Sequence, residues 1–124
     1  MVPLKLGMVG GGHGAFIGAV HRMASRMDGC FQLTAGAFSS DSIRAHASAA
    51  ELGISADRSY ADFNEMAKVE GMHSNGIDAV SIVTPNHLHG PIAEAFLAQG
   101  ISVICDKPMT ATLAQAESLR DAVQ

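Results

Sequence analysis

The chain lacks several features on which whole classes of protein depend. None of its 124 residues is tryptophan, and charged residues make up only 16% of it. The formal net charge is −4, and no run of lysine and arginine occurs, which argues against a nucleic-acid-binding surface. No apolar stretch approaches the roughly 20 residues that a membrane-spanning helix requires. We therefore expect neither a nucleic acid nor a membrane as partner.

Cysteine is also scarce. The two cysteines, Cys30 and Cys105, belong to no metal-binding or redox motif, and one pair is not a disulfide framework. We therefore expect both to be reduced thiols. The first residues lead directly into a strand-like segment, so we expect no signal peptide and a cytoplasmic location. A hydrophobic content of 48% is typical of a globular domain.

Short apolar runs alternate with segments of helical periodicity along the chain. Four runs predict buried strands: 4–9, 31–38, 77–83 and 101–105. Helices are predicted at 15–27, 39–52, 62–69 and 89–99, and a last one begins at the capping box Thr112-x-x-Gln115. The first predicted helix has apolar residues at three- and four-residue spacing, which indicates one apolar face: Phe16, Ile17, Val20, Met23, Ala24 and Met27.

Alternating strands and helices predict βαβ units and a parallel sheet. Right-handed crossovers leave few topologies for such a chain. We expect an α/β fold of the Rossmann type, a doubly wound parallel sheet with helices on both faces. This sheet opens a crevice at the carboxyl ends of its strands, where the strand order reverses, and ligands bind there.

The first predicted strand ends in a glycine-rich turn, GGGHGA at 10–15, that leads into a helix. The turn contains G-x-G-x-x-A, in which the first glycine permits the tight turn and the second lets a pyrophosphate approach the backbone. The helix N-terminus favours an anion. The predicted cofactor-binding residues here are Gly10, Gly12, His13, Gly14, Ala15, Phe16 and Ile17. The alternative is a glycine turn that only solves a packing problem.

The dinucleotide fingerprint expects an acidic residue at the end of the second strand, where it holds the ribose 2′-hydroxyl. Ser39 and Ser40 stand there instead, with Arg44 one turn into the next helix. Two hydroxyls and a cation suit a 2′-phosphate better than a carboxylate does. The predicted cofactor is NAD or NADP, with a slight preference for NADP. In the alternative interpretation, the serines only cap a helix and Arg44 is a solvated surface charge.

Two further motifs follow predicted strands at their carboxyl ends. In TPNHLH, at 84–89, the proline stiffens the strand exit, so we expect Asn86 and His89 to point into the crevice, the alternative being that these residues only cap a helix. In DKP, at 106–108, a lysine can hold a substrate oxygen and lend it a proton, unless Asp106 neutralises it as an ion pair. His87 and His89 have the spacing of a metal pair, but no third ligand of convincing spacing stands near, so no metal is predicted.

The three motifs together resemble the N-terminal domain of the Gfo/Idh/MocA family of NAD(P)-dependent oxidoreductases. The matching pieces are the turn at 10–15, TPNHLH at 84–89 and VICDKP at 103–108, in family order and spacing across essentially the whole chain. The resemblance implies that Lys107 is the catalytic lysine beside the nicotinamide and the substrate. It adds these residues to the cofactor site: Thr84, Pro85, Asn86, His89, Asp106 and Lys107. Asp106 departs from the family's usual glutamate, and the serine pair departs from its NAD-type acidic residue.

The resemblance implies hydride transfer between NAD(P) and an alcohol carbon of a sugar, a cyclitol or a related polyol. Family members continue with another strand and a substrate domain, so we expect 1–124 to be a truncated NAD(P)-binding domain that is inactive alone. The alternatives are a non-catalytic dinucleotide-binding module that works through a partner, and a metal-dependent hydrolase. We also expect a homo-oligomer, because the strand at 101–105 is apolar, β-prone and unguarded by charge at the sheet edge.

Overall fold

The apolar runs of the sequence form one parallel sheet. The computed structural model describes residues 2–124. The strands are β1 (Leu4–Gly10), β2 (Phe31–Ala37), β3 (Ala79–Val83) and β4 (Ser102–Cys105). The sheet order is β2-β1-β3-β4, and every pairing is parallel. The order reverses between β1 and β3, which confirms the predicted doubly wound, Rossmann-type fold.

Five α-helices within residues 2–124 connect and follow the strands. They are α1 (Phe16–Arg26), α2 (Ser42–Glu51), α3 (Phe63–Met72), α4 (His89–Leu97) and α5 (Leu113–Ala122). Short 3-10 turns at Ala56–Arg58 and Asn86–Leu88 precede α3 and α4. Helix α3 runs past its predicted end at residue 69, to Met72. Its Gly71 packs closely against Gln99, since an added Cβ would lie 2.8 Å from the Gln99 side chain.

Strand β3 divides the apolar interior into two cores, because all five of its residues are buried and alternate between the two faces of the sheet. The larger core packs β3 and β1 against α3 and α4, and its largest fully buried members are Met66, Ile82, Ile92 and Phe96. The smaller core, on the opposite face, packs the sheet against α2: Met8, Phe38, Ala49, Ile54 and Val83. Full burial of each large side chain contributes about 1.5–3 kcal/mol.

Strand β4 lies at an edge of the described sheet, as predicted, but it is not the buried strand that its composition predicts. Its residues alternate between exposed and half-buried, and Ile104 is 40% exposed. The physical reason is that β4 pairs only with β3 and receives helical cover from α4 on one face. A short apolar run does not report whether both faces of a strand are covered.

Helix α1 forms where predicted, but its apolar face is not its buried face. Most of the predicted apolar face is 44–83% exposed: Phe16, Val20, Met23 and the C-cap Met27. Ile17 alone of its large residues is half-buried, and it packs against the smaller core. Gly18 is buried instead, and a Cβ added there would lie 2.5 Å from the Cα of Gly11 in the glycine turn. Because this backbone contact fixes the rotation of the helix, the half-buried His21 and Arg22 face the sheet. The expectation that helical periodicity marks the core side is wrong for α1.

A buried ion pair fastens α3 to the segment before it. Glu70 is 2% exposed, and its carboxylate accepts hydrogen bonds from the Arg58 guanidinium at 2.6 and 2.7 Å. The same carboxylate accepts from the Tyr60 hydroxyl at 2.7 Å and from the Ile77 backbone N–H at 3.2 Å. Burial raises the pKa of Glu70, but the hydrogen bonds from Arg58 and Tyr60 outweigh burial and hold that pKa below its usual range. The carboxylate is therefore charged and fully partnered.

We predict that Glu70→Gln lowers the free energy of unfolding by roughly 3–5 kcal/mol at neutral pH, because it leaves the buried Arg58 charge without its partner. The folded-state pKa of Glu70 lies below the unfolded value of about 4.3. Its stabilisation is thus complete above that pH and is lost as the pH falls through the folded-state value. Urea unfolding at a series of pH values should show the gap between parent and variant narrowing below about pH 4.

The matched control is Glu65→Gln, which changes an exposed glutamate of the same helix. It should alter the unfolding free energy by no more than about 0.5 kcal/mol. An equal loss of unfolding free energy for Glu65→Gln and Glu70→Gln would contradict the role assigned to the Glu70 carboxylate. A difference between parent and Glu70→Gln that stays constant down to pH 2 would contradict it as well.

Candidate functional site

A cleft of about 850 Å³ opens at the carboxyl edge of the sheet, where the strand order reverses. The glycine turn, the end of β2 and the exit of β3 line it. The lining includes these predicted cofactor residues: Gly10, Gly12, His13, Ala15, Ser39, Ser40, Arg44, Thr84 and Pro85. The other predicted site residues lie outside the lining: Gly14, Phe16, Ile17, Asn86, His89, Asp106 and Lys107. The structure thus brings the glycine turn, the end of β2 and the exit of β3 together around one cleft. The DKP segment does not line it.

The glycine turn owes its composition partly to the protein's own backbone. Gly10 has φ +82°, a conformation that a side chain disfavours. Gly12 is constrained differently, since a Cβ there would lie 2.7 Å from the Phe38 carbonyl oxygen and 3.1 Å from the Ser48 hydroxyl. Gly12 therefore lets the turn pack against the end of β2. The packing interpretation of this glycine has direct structural support, alongside the predicted approach of a pyrophosphate.

The N-terminus of α1 is open toward an anion. Its N-cap, Ala15, supplies no side-chain acceptor, and the first turn holds no acidic residue. By contrast, the carboxylates of Asp41 and Asp62 cap α2 and α3, and the Thr112 hydroxyl caps α5. The first backbone N–H groups of α1 therefore keep the unpaired donors and positive dipole end that favour a phosphate.

The end of β2 presents hydroxyls and one cation to the cleft. Asp41, not a serine, caps α2 by accepting from the N–H groups of Ile43 and Arg44 at 2.9 and 3.1 Å. The Ser39 hydroxyl accepts from the Asp41 N–H at 3.1 Å. Arg44 is exposed and lines the cleft, and it forms no salt bridge within the described part of the chain. Its guanidinium is available to a ligand.

Three residues that sequence reasoning missed shape the glycine turn. The Arg22 guanidinium donates to the Gly11 carbonyl at 2.7 Å, and the Ser48 hydroxyl accepts from the His13 N–H at 3.1 Å. The Glu51 carboxylate lies 3.4 Å from the His13 imidazole, and both side chains are exposed. No sequence signal identified Arg22, because the periodicity of α1 indicated the opposite face of the helix.

The TPNHLH segment leaves β3 through a 3-10 turn. Asn86 and His87 are exposed there, whereas His89 is 1% exposed. One ring nitrogen of His89, Nδ1, lies 2.6 Å from the Pro108 carbonyl oxygen, and the other, Nε2, lies 2.9 Å from the Thr84 carbonyl oxygen. His89 therefore joins the exit of β3 to the DKP segment and does not extend freely into the cleft. His87 and His89 occupy different environments.

The DKP segment follows β4 and carries Lys107, whose side chain is exposed. The peptide between Lys107 and Pro108 is cis. Within the described residues Lys107 forms no ion pair, because the Asp106 carboxylate contacts the His21 imidazole, with Oδ1 3.3 Å from Nε2. The alternative in which Asp106 neutralises Lys107 is therefore not the arrangement observed.

Both cysteines are free thiols. A hydrogen bond with Asp28 raises the pKa of Cys30, and burial raises that of Cys105, so both favour the protonated form. Among residues 2–124, no group of three or more histidine, cysteine, aspartate or glutamate side chains has a geometry that could hold a metal ion. The helices of the same residues include none with the length and apolarity to cross a membrane.

Comparisons with known proteins show a matching family and fold. Residues 4–124 match the family model described as "Oxidoreductase family, NAD-binding Rossmann fold". The uncharacterized oxidoreductase YfiI of Bacillus subtilis is 40% identical over 119 residues, covering 95% of this chain and 30% of that protein. Levoglucosan dehydrogenase of Pseudarthrobacter phenanthrenivorans is 33% identical over 125 residues, covering 100% of this chain and 31% of that protein.

A solved structure shares the fold closely. The crystal structure of an inositol dehydrogenase homolog from Azotobacter vinelandii, complexed with NAD+, matches with a TM-score of 0.93 and 40% sequence identity. The match covers 98% of this chain and 31% of the other. The chain therefore spans about a third of the length of the proteins it matches.

We predict that Gly12→Val weakens dinucleotide binding and also lowers the stability of the fold, by roughly 1–3 kcal/mol for overpacking against the Phe38 carbonyl. The 2.7 Å approach leaves no room for a side chain at this position unless the neighbouring backbone shifts. Thermal unfolding checks the stability. The matched control is Gly90→Ala in α4. A Cβ at Gly90 would lie 3.4 Å from the side chain of Gln115 in α5, which is an ordinary van der Waals contact. An unchanged melting temperature for Gly12→Val would contradict the packing role.

Proposed function

Because the chain belongs to the Gfo/Idh/MocA oxidoreductase family and spans its NAD-binding Rossmann domain, we propose that it is the dinucleotide-binding domain of a dehydrogenase. The reaction is hydride transfer between NAD(P) and an alcohol carbon of a sugar, a cyclitol or a related polyol. The single observation that carries the proposal is the uncapped N-terminus of α1, which follows the glycine turn at the cleft. The names of the levoglucosan and inositol dehydrogenase relatives support the substrate class.

The residues present fit a dinucleotide. The cleft combines a glycine-lined wall, open backbone donors and two serines at the end of β2. The neighbouring carboxylate of Asp41 caps α2 and does not line the cleft. The glycine turn and the first turn of α1 would hold the pyrophosphate through their backbone N–H groups. Ser39, Ser40 and Arg44 would hold the adenosine ribose and its substituent.

The residues at the end of β2 favour NADP at least as well as NAD. The Arg44 guanidinium is exposed at the cleft without a salt bridge in the described part of the chain, so it can pair with a 2′-phosphate. Ser39 and Ser40 add hydroxyls and no negative charge. Glu51, the acidic residue of the cleft lining, faces His13 on the glycine turn and leaves Arg44 unneutralised.

Lys107 is the residue that we assign to proton chemistry. A bound NAD(P) supplies the hydride chemistry, and the protein orients it and balances the proton. The Lys107 ammonium is exposed and free of an ion pair within the described residues, so it can hold the substrate oxygen and exchange a proton with it. The alternative is a non-catalytic dinucleotide-binding module that acts through a partner. Because the domain is expected to be inactive alone, turnover on a panel of sugars and polyols by a protein that also carries the substrate domain separates the two.

Self-association is a further part of the proposal. The outward apolar stripe of α1 comprises Phe16, Val20, Met23 and Met27, and the exposed Ile104 of β4 lies at the sheet edge. Exposed apolar surface and an unguarded strand edge both recruit other chains. A second copy of the chain is the occupant we propose, since an isologous dimer is the commonest closed arrangement.

We predict that the chain binds both NADH and NADPH, and that Arg44→Ala weakens NADPH binding about 10-fold or more, the equivalent of a charge-assisted hydrogen bond of roughly 1.5–3 kcal/mol. NADH affinity should change little. Fluorescence titration of both cofactors measures the effect. The control is Arg120→Ala, which removes an exposed arginine of α5. Equal losses for both cofactors would reduce Arg44 to a surface charge, and no binding of either would overturn the proposed function.

We predict that Met23→Lys shifts the chain toward a monomer of 12.9 kDa, because it places a charge in the exposed stripe of α1. Sedimentation velocity over a range of micromolar concentrations measures the distribution. The matched control, Met72→Lys, alters an exposed methionine of α3, which is 84% exposed. A parent chain that is monomeric at all concentrations would contradict self-association.

A further inference from the structure

Lys107 lies between two residues that are each held by a histidine. We propose that His21 and His89 are positioning residues for Lys107, each tying β3 to a residue next to the lysine in sequence. The inference rests on the proposed catalytic role of Lys107 for its functional meaning, and on hydrogen-bond geometry for its structural content. His21 belongs to none of the three sequence motifs, and the motif that contains His89 did not indicate this role.

The first bridge comes from α1. The His21 Nδ1 atom lies 2.7 Å from the hydroxyl of Ser81, which is 1% exposed in the middle of β3. The Nε2 atom lies 3.3 Å from the carboxylate of Asp106. A ring protonated on Nε2 donates to the carboxylate while Nδ1 accepts from the serine hydroxyl, so every partner is satisfied. The His21 side chain is only 19% exposed, which protects these contacts from water.

The second bridge comes from α4. The ring of His89, 1% exposed, lies between the carbonyl of Thr84 at the exit of β3 and the carbonyl of Pro108. Both partners are carbonyl acceptors, so a ring with a single proton donates to one of them, and only a ring protonated on both nitrogens donates to both. The tie to Pro108 is a hydrogen bond when Nδ1 carries a proton. Burial makes these contacts costly to lose, because a buried polar group that loses its partner cannot replace the hydrogen bond with water. The residue after Lys107 is thereby tied to the strand that ends at the cleft.

The two bridges reach the same segment from opposite faces of the sheet. His21 belongs to α1 and His89 to α4, and the α4 face holds the larger core. Both bridges end on β3 or its exit, the strand that is buried throughout. The backbone around Lys107 is therefore fixed on both sides while its ammonium stays exposed. Catalysis requires such fixation, since a misplacement of about 1 Å can cost roughly 100-fold in rate.

The two nitrogens of each histidine can be tested separately. An asparagine amide replaces Nδ1, and a glutamine amide replaces Nε2, because their reach from the backbone matches those atoms and both can donate. At position 21 the contact with the DKP segment is made by Nε2, so His21→Gln keeps it and His21→Asn loses it. At position 89 that contact is made by Nδ1, so His89→Asn keeps it and His89→Gln loses it.

Backbone ¹⁵N relaxation of the Lys107 and Met109 amides provides the readout. In the parent, His21→Gln and His89→Asn, which keep the contact, we expect order parameters of about 0.85. In His21→Asn and His89→Gln, which lose it, we expect values below about 0.6. Amides of β3 should stay ordered in all of them. His87→Asn, which changes an exposed histidine of the neighbouring motif, is the control. A purely packing role for either ring would not produce opposite rescue at the two positions.

The inference is overturned if asparagine and glutamine act alike at both positions, or if the Lys107 amide is equally ordered in all four variants. Should the buried position 89 not tolerate substitution, the pair at position 21 decides alone. NADH titration of the same proteins separates this inference from the proposed function. A parent that shows the rescue pattern but binds no NADH would refute the function and leave the positioning intact.

Discussion

The arrangement of the site depends on a backbone-to-backbone contact between Gly11 of the glycine turn and Gly18 of α1. An added Cβ on Gly18 would lie 2.5 Å from the Gly11 Cα, so no side chain fits between the turn and the helix. The contact brings the N-terminus of α1 to the cleft with its backbone donors free. It also fixes the rotation of the helix, since residues three and four positions after Gly18 share its inward face. Those residues are His21 and Arg22.

That rotation turns α1 into a helix held by polar contacts. Arg22 donates back to the Gly11 carbonyl, and His21 reaches both β3 and the segment before Lys107. As a consequence, the apolar stripe of α1 faces outward, and its first residue, Phe16, is 82% exposed. One contact thus accounts for the open anion site, for one support of the proposed catalytic lysine and for a surface suited to association.

The opposite face of the sheet supplies most of the apolar stability. The larger core lies there, and the buried carboxylate of Glu70 fastens α3 to Arg58 and Tyr60. The segment around Tyr60 runs beside β2, where Ser59 makes a single parallel bridge to Gly36. The polar network therefore holds a segment that has little sheet pairing of its own. The cleft draws its residues mainly from turns at the strand ends, which a firmly packed sheet can carry without being weakened by them.

The sequence by itself determined the order of strands and helices, the doubly wound fold and the placement of all three motifs at carboxyl strand ends. Those features follow from short-range periodicity, from caps such as Thr112 and from glycine breaks, which neighbouring residues specify. Tertiary structure alone decided that α1 turns polar residues inward and that Gly12 makes room for the Phe38 carbonyl oxygen. It also decided that His89 is buried between the carbonyl oxygens of Thr84 and Pro108. His21 and Asp106 stand 85 positions apart, and no local pattern records which distant side chain lies within hydrogen-bond distance.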